Sequence, residues 1–318
     1  MPRLMQCCIS FSILKDFPRI FLGKELTPFM VKRGATIRNI TLPDIPRLMP
    51  IKNQAGWNQI PGDWARLIRL NPGGCFCIQV DGEIIGTVTT TPVSSKMAWV
   101  GMLVVREDER GRGFGRMLLN QAIHYLESRG FTTIFLDATP VGKPLYLSAG
   151  FKTRGVLKRH VINTLNIASL EMEGVKGRLR EFSSEFMDSV CNLDKKMTGY
   201  DRRDVIKSLV SPETSKVHLK PDGTVDGYII WREGQNFTQV GPLVAREAEI
   251  ARVLVICAMS SMNLDVGCID VPSERQHFEI FLKGIGAVPA REFTRMYKGK
   301  HPSFTSDGEF ATSGPEKG

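Results

Sequence analysis

The chain has 318 residues, 42% of them hydrophobic and 24% charged, a composition typical of globular proteins that excludes a disordered or fibrous chain. This length exceeds that of a typical single hydrophobic core, so we expect two domains. The net charge of +9 indicates an anionic partner. Nucleic acid, an acidic membrane surface and a phosphorylated cofactor all remain open at this stage.

Membrane and metal functions find little support in the sequence. No apolar run approaches the roughly 18 residues that a membrane-spanning helix requires. The seven cysteines are an odd number without a Cys-x-x-Cys pair, which favours reduced thiols over disulfides or a zinc site. We therefore expect a cytoplasmic protein without a bound metal.

The predicted elements follow a loosely ordered extension at residues 1–33, whose role in targeting stays open. Asp81-Gly82 between two apolar runs predicts a tight hairpin. From Gly113 onward apolar residues recur at helical spacing, and Gly130 is suited to cap that helix. The tail at residues 300–318 is rich in Ser, Gly, Pro and Lys and is predicted to be disordered. Around this helix we predict strands over Ala35–Ile40, Cys75–Val80, Glu83–Thr90, Ala98–Val105 and Phe131–Leu136, and helices over Leu42–Ala55 and Asp63–Leu70.

An internal repeat organises most of the chain. The octapeptide Val100–Glu107 (VGMLVVRE) returns as Val240–Glu247 (VGPLVARE). An Asp-Gly turn and an apolar run precede each copy. A helical pattern, a strand ending in an aspartate (Asp137 or Asp270), a second helix and a glycine follow it. Two copies of one α/β unit explain the length better than two unrelated domains.

The segment Arg110–Gly115 (RGRGFG) lies between a predicted strand and an amphipathic helix. The first N–H groups of a helix lack internal partners and the helix dipole favours negative charge, so this arrangement is suited to bind a phosphate. A nucleotide P-loop is excluded because no Gly-Lys-Ser/Thr sequence is present. A dinucleotide fingerprint fits poorly because Arg116 stands where its third glycine would be. A glycine-rich turn with solvated arginines is the remaining alternative.

Arg110-x-x-Gly113-x-Gly115 is similar to the Arg/Gln-x-x-Gly-x-Gly/Ala motif of the GNAT N-acetyltransferases. Leu145–Phe151 (LYLSAGF) resembles the Leu-Tyr-x-x-x-Gly-Phe sequence of the same family, and the resemblance covers about Ala35–Asn163. It implies that acetyl-CoA is the cosubstrate and that pantetheine binds a splayed strand. The implied cofactor-binding residues are Leu103, Val104 and Val105 on this strand and Arg110, Gly111, Arg112, Gly113, Phe114, Gly115 and Arg116 around the pyrophosphate.

The whole chain resembles the tandem acetyltransferases whose second domain has lost the cofactor loop. In the second unit Arg246–Arg252 contains no glycine, and Leu282 stands four residues before a glycine where the first unit has Tyr146. The resemblance implies an α/β (α+β) fold of two tandem GNAT-like domains, each a mixed, mostly antiparallel sheet flanked by helices. The catalytic domain would span residues 34–165, and the degenerate domain, for acceptor recognition, residues 166–299.

Acetyl transfer to an amine requires a neutral nucleophile, a polarised carbonyl group and a proton for the leaving thiolate. An alkylammonium with a pKa of about 10.4 must first lose a proton. The resemblance suggests Tyr146 as the general acid, with a packing role for this aromatic side chain as the alternative. Asp137 is our first choice for the base, although it could equally cap the following helix, and Glu107 and Asp63 are weaker candidates.

Acceptor contacts are expected from the segment between the first two helices and from the second domain. The candidates are Trp57, Asn58 and Asp63 in the first and Tyr200, Asp201 and Trp231 in the second, although the aromatic side chains could instead belong to the core. We expect a small-molecule primary amine as acceptor and neither nucleic acid nor a membrane as partner. The alternatives are a protein or peptide N-acetyltransferase and a non-catalytic acetyl-CoA-binding module. The acceptor's identity and the oligomeric state stay open.

Overall fold

The computed structural model describes residues 34–163, 179–262, 266–303 and 306–318, so the predicted extension at residues 1–33 and the join between the repeats lie outside the described residues. Within these ranges the chain forms thirteen β-strands and eight α-helices. The first repeat contains β1 (Ala35–Asn39), α1 (Ile45–Gln54), α2 (Pro61–Leu70), β2 (Cys75–Val80), β3 (Glu83–Pro92), β4 (Met97–Val105), α3 (Phe114–Ser128), β5 (Thr133–Ala138), α4 (Lys143–Ser148) and β6 (Lys152–Asn163). The second contains β7 (Leu179–Glu181), α5 (Met187–Thr198), α6 (Arg203–Leu209), β8 (Ser215–Leu219), β9 (Val225–Arg232), β10 (Thr238–Ala245), α7 (Ala248–Met259), β11 (Val266–Pro272), α8 (Gln276–Gly284), β12 (Val288–Gly299) and β13 (Glu309–Ala311).

Local backbone chemistry sets the ends of the elements near the site. Asp81 and Gly82 have φ values of 50° and 82°, the left-handed conformation that a two-residue hairpin requires, and they join β2 to β3. Gly113, with φ of 86°, precedes α3, and Gly130, with φ of 79°, follows it. The predicted elements of the first repeat are all present, with bounds shifted by at most a few residues.

One continuous sheet carries both repeats. Its strand order is β1-β2-β3-β4-β5-β12-β6-β11-β10-β9-β8-β7, with β13 paired to β10. Neighbouring described strands are antiparallel except β4–β5 and β10–β11, which occupy equivalent places in the two repeats. Helices α3 on one face and α1 with α2 on the other cover the first repeat, and α5–α8 cover the second in the same way. The sheet is therefore mixed and mostly antiparallel, as predicted.

The two repeats exchange their long final strands. β12 of the second repeat pairs with β5 of the first, and β6 of the first repeat pairs with β11 of the second. β6 and β12 also pair with each other along most of their length. Gly34–Gly318 consequently forms one compact unit. The predicted boundary at residue 165 separates sequence repeats but not compact bodies, because each repeat completes the sheet of the other.

The expectation of a disordered tail at residues 300–318 does not hold for its last part. β13 pairs with β10, and Gly308–Gly318 is buried apart from a half-buried Pro315. Two buried arginines satisfy the backbone here: Arg202 donates to the Gly318 carbonyl and Arg232 to the Ser313 carbonyl, both at 3.0 Å. The composition of the tail gave no indication of these partners, because they lie far away in the sequence.

Candidate active site

β4 and β5 leave a gap in the sheet of the first repeat. Met97–Trp99 pairs with Thr133–Phe135, and beyond this point the two strands diverge. A bulge at Met102 and Leu103 turns β4, and Met102 has φ of 49°, a conformation rare outside glycine. The Thr87 hydroxyl donates a hydrogen bond of 2.7 Å to the Met102 carbonyl and holds the bulge. Sequence reasoning missed both residues, because nothing in a sequence marks a methionine for positive φ.

The glycine loop lies at the end of β4, in front of α3. Gly111 and Gly113 have φ values of 76° and 86°, and a Cβ added to either would meet no atom within 4 Å. The Phe114 side chain packs into the core and anchors the loop. Open space before the free N–H groups of a helix is what a closely held phosphate requires, so these residues fit the predicted pyrophosphate site.

Acidic neighbours partly neutralise the arginines of this loop. Arg110 pairs with Glu107 at 3.1 Å, and Arg112 pairs with Glu109 at 2.8 Å. Arg116 donates to the Ser148 hydroxyl at 2.7 Å. The Arg110 and Arg112 side chains are about half exposed, and ion pairs near the surface contribute little to stability.

Tyr146 lies in α4, on the wall that faces the gap. Its ring packs edge-on against Phe151, with centroids 6.0 Å apart, and rests on Gly142, where an added Cβ would lie 3.1 Å from the ring. Within the described part of the chain its hydroxyl makes no hydrogen bond, and burial raises the pKa of the phenol above its ordinary value. The hydroxyl is therefore protonated at neutral pH and free to donate.

Asp137, near the end of β5, is among the residues that line the cleft, but its carboxylate is fully buried and it is not a helix cap. Both carboxylate oxygens accept hydrogen bonds from the Arg295 guanidinium, at 2.9 and 3.0 Å. In the turn before α4 the Thr139 hydroxyl accepts a hydrogen bond of 3.2 Å from the amide of Gly142, the residue at the N-cap of the helix. Burial raises the pKa of Asp137 above its ordinary value, and Arg295 opposes this rise.

The segment between α1 and α2 forms part of the same cleft, and Trp57 and Asn58, the acceptor contacts predicted there, are among its lining residues. The Asn58 side chain binds the backbone of the second repeat: its Oδ1 accepts from the Asn236 and Phe237 amides, and its Nδ2 donates to the Phe237 carbonyl at 2.9 Å. Asn58 thus holds the segment between α1 and α2 against the second repeat. Few of its hydrogen-bonding groups remain for a ligand.

Four other predicted acceptor contacts lie away from the cleft. Asp63 is buried between Arg66 and Arg232, at 2.8 and 3.1 Å. Tyr200 and Trp231 are each 3% exposed core residues, and Asp201 pairs with Lys195 at the surface. The side chains of Asp63, Tyr200, Asp201 and Trp231 are therefore not placed to contact an acceptor in this cleft, because core packing or ion pairs hold them elsewhere.

The C-terminal segment supplies a wall that sequence reasoning did not predict. Pro315 and Glu316 line the cleft, and a Cβ added to Gly101 of β4 would lie 2.6 Å from the Glu316 carbonyl oxygen. Gln59 donates to the Glu316 carboxylate at 3.0 Å, and Arg232 pairs with it at 2.7 Å. Although burial opposes ionisation, Lys317 and Arg232 lower the pKa of Glu316 to about 2.

The same segment fills the equivalent gap in the second repeat. β10 pairs with β11 over Thr238–Val240 and then diverges, as β4 does from β5. β13 enters this opening and pairs with β10 at Leu243 and Val244, and the Thr312 amide donates to the Asp270 carbonyl at 3.1 Å. The chain itself therefore occupies the second groove.

Together these elements enclose a cleft of about 580 Å³. The glycine loop and the bulged strand β4 form one end, α4 and Asp137 the middle, and the Trp57 segment, β6, β12 and Glu316 the rest. Among the described residues no cluster of three potential metal ligands occurs, and no helix there is long and apolar enough to cross a membrane.

Comparison with known proteins agrees with this architecture. Residues 41–151 match the model of the acetyltransferase (GNAT) family, and residues 190–309 match that of an acetyltransferase (GNAT) domain. Holothin acyltransferase of a Pseudoalteromonas strain is 25% identical over 249 residues, which cover 77% of this chain and 82% of the relative.

Solved structures share the fold at lower identity. A candidate acetyltransferase from Pyrococcus horikoshii is 20% identical with a TM-score of 0.76, and the match covers 93% of this chain and all of that protein. A tandem GNAT protein from the clavulanic acid biosynthesis pathway is 13% identical with a TM-score of 0.63, covering 85% of this chain and all of that one.

The fold, the cleft and these matches define an acyltransferase that uses an acyl-CoA donor. The chain belongs to the GNAT acetyltransferase family, in its tandem form.

Proposed function

We propose that the protein transfers an acetyl group from acetyl-CoA to a primary amine of a small molecule by direct attack of the amine. The observation that carries this proposal is the single cleft that joins the glycine loop, the gap beside β4 and the free hydroxyl of Tyr146. A donor held at the loop would present its acyl end to the middle of this cleft, where a second substrate can enter from the side of Trp57 and β12.

Residues of the first repeat would hold acetyl-CoA. Gly111 and Gly113 leave room for the pyrophosphate, and the backbone of Leu103–Val105 is available beside the gap for the pantetheine amides. The cosubstrate supplies an activated thioester. A backbone N–H of the bulged strand, near Met102, is suited to polarise the thioester carbonyl, because the bulge leaves part of this strand without a partner.

The position of Glu316 favours acetyl over long acyl groups. Its backbone lies directly against Gly101 on β4, at the inner end of the gap. Its side chain is fixed by Gln59 and Arg232, so this wall cannot move aside without breaking buried charge-assisted bonds. An extended acyl chain would collide with it.

Two side chains would handle the protons. Tyr146 donates to the leaving thiolate, because its raised pKa keeps it protonated and no described group competes for its hydroxyl. Asp137 would accept the proton of the amine through water and not by direct contact, because its carboxylate is fully buried against Arg295. The raised pKa of Asp137 makes it a stronger base than an ordinary carboxylate.

Walls on two sides of the acceptor region favour a small molecule over a peptide. Asn58 fastens the Trp57 segment to the second repeat, and the C-terminal segment closes the opposite wall. The second repeat would not bind a donor of its own, because β13 fills its groove. We therefore infer one acetyl-CoA site per chain.

An amine screen tests the proposal. The full chain would be incubated with acetyl-CoA and a panel of small amines and lysine-containing peptides, with thiol release and product mass as readouts. We expect acetylated small amines, with longer acyl-CoA donors turned over more slowly. Faster acetylation of peptides would favour the peptide alternative. Binding of acetyl-CoA without any product would favour the non-catalytic module.

A further inference from the structure

The charged side chains that line the cleft are neutralised, with one exception. The lining contains Arg110, Asp137, Arg159, Arg291 and Glu316. Four of these have an oppositely charged partner: Arg110 pairs with Glu107 at 3.1 Å, Asp137 with Arg295 at 2.9 Å, Arg159 with Asp270 at 2.7 Å and Glu316 with Arg232 at 2.7 Å. Arg291 is exposed and makes no ion pair with any residue that the structure describes.

Arg291 also lies opposite another arginine. In the pairing of β12 with β6, Arg291 is the register partner of Arg159, so the two Cβ atoms are about 5 Å apart on one face of the sheet. Like charges in this arrangement destabilise a sheet. Asp270 already engages Arg159 with two hydrogen bonds of 2.7 Å, so it does not compensate Arg291. An uncompensated arginine at this place is therefore explained better by a ligand than by the fold.

The same face of β12 leads from Arg291 to the reacting centre. Phe293 follows two residues later, is 3% exposed, lines the cleft and packs against Arg159 with 5.2 Å between the guanidinium carbon and the ring centroid. Arg295, two residues further, holds Asp137. Four residues of a strand span about 13 Å. A ligand that reaches from Asp137 to Arg291 would thus pass an aromatic surface and have at most about 13 Å between its end groups.

We propose that Arg291 binds an anionic group of the acceptor, so that the acceptor class is an amine that also carries a carboxylate or a phosphate at a distance. The amine lies at Asp137 and Tyr146, the apolar middle lies on Phe293, and the anion meets the Arg291 guanidinium. This assignment rests on the proposed function for the position of the amine, but the anion site itself can be tested without catalysis.

Binding measurements test the anion site first. Octanoate and octylphosphonate, which represent the carboxylate and the phosphate, would be titrated by calorimetry into the full chain saturated with CoA. We expect one of them to bind and Arg291→Gln to weaken it about ten-fold or more, equivalent to about 1.4 kcal/mol. The matched control is Arg69→Gln, which removes an exposed positive charge on α2 outside the cleft and leaves affinity unchanged. If neither anion binds, or Arg291→Gln binds as tightly as the wild type, the anion site is refuted.

Kinetics then separate the two proposals. 8-Aminooctanoate or its phosphonate analogue should be acetylated with kcat/KM about ten-fold above that of octylamine, and Arg291→Gln should abolish the preference with the KM for acetyl-CoA unchanged. Equal rates with octylamine would overturn the acceptor class while supporting the proposed function. A raised KM for acetyl-CoA in Arg291→Gln would overturn it too, by assigning this arginine to the donor. Anion binding without acetylation of any amine would refute the proposed function but not the anion site.

Discussion

Replacement of Tyr146 by phenylalanine isolates the chemical role of one hydroxyl. The ring's contacts with Phe151 and Gly142 do not involve the oxygen, and the hydroxyl has no hydrogen-bond partner in the described part of the chain. The free energy of unfolding should therefore change by less than about 0.5 kcal/mol. The proposed donor site lies on β4 and the glycine loop, so the affinity for acetyl-CoA should also stay nearly unchanged.

The expected loss of turnover follows from the leaving group. General acid catalysis contributes about 10²–10⁴-fold when the leaving group is poor. A thiolate with a pKa of about 8.5 leaves partly unaided at neutral pH, which reduces the need for an acid. We therefore expect kcat of Tyr146→Phe to fall by about ten- to a hundred-fold, equivalent to about 1.4–2.7 kcal/mol in the activation free energy.

The assay measures the rate of thiol release to obtain kcat and thermal unfolding to obtain stability. The Tyr125→Phe variant serves as the control. Tyr125 lies in α3 and its hydroxyl donates to Asn71 at 2.8 Å, outside the cleft. Its loss should cost about 1 kcal/mol of stability and leave kcat intact, the reverse of the pattern for Tyr146. Wild-type turnover in Tyr146→Phe would refute the general-acid role and leave Tyr146 as a packing residue.

Three further predictions concern the donor site, the base and the fold. Gly113→Glu should abolish acetyl-CoA binding in calorimetry without unfolding the chain, since its Cβ meets no protein atom within 4 Å and a side chain at the left-handed φ of 86° costs only about 1–2 kcal/mol, and wild-type affinity would refute the loop assignment. Asp137→Asn should lower kcat and, by leaving Arg295 half-paired, destabilise the fold by about 3–5 kcal/mol. Asp194→Asn breaks a comparable buried pair outside the cleft and should lose stability alone. The raised pKa means that Asp137 becomes protonated at a higher pH than an ordinary carboxylate, so kcat/KM should fall as the pH drops through that raised value. If Asp137→Asn shows the same fall of kcat/KM at low pH as the wild type, Asp137 is excluded as the base. A fragment of residues 34–163 should fail to fold cooperatively in urea, because β12 is missing between β5 and β6, and a sharp unfolding transition would contradict this.

Much of the first repeat could be predicted because its signals are local. The Asp81-Gly82 turn, the helical spacing after Gly113 and the alternation of apolar runs depend on neighbours within a few residues. The prediction of the donor site rests on the same kind of local signal, since Arg110–Gly115 is one contiguous segment whose backbone conformation its glycines permit. The internal repeat likewise indicated a tandem fold, because equal patterns fold into equal units.

The acceptor side was not predictable in this way. Tyr200, Trp231 and Trp57 are all aromatic, but Tyr200 and Trp231 are core residues whereas Trp57 lines the cleft. Only the packing of the folded chain distinguishes them. Arg291 carries no local sign that it stands opposite Arg159, a residue more than a hundred positions earlier.

The sequence alone indicated the repeated α/β unit, the candidate phosphate-binding loop and the lack of glycines at the equivalent place in the second unit, since each depends on short-range patterns. Only the tertiary structure showed the exchange of β6 and β12 and the C-terminal segment that lines the cleft of the first repeat and fills the groove of the second. It also showed the ion-pair and hydrogen-bond partners of Asp63, Asn58 and Asp137. These features depend on contacts between residues far apart in the chain. Their free energy comes from burial and charge pairing that exist only once the whole sheet has formed.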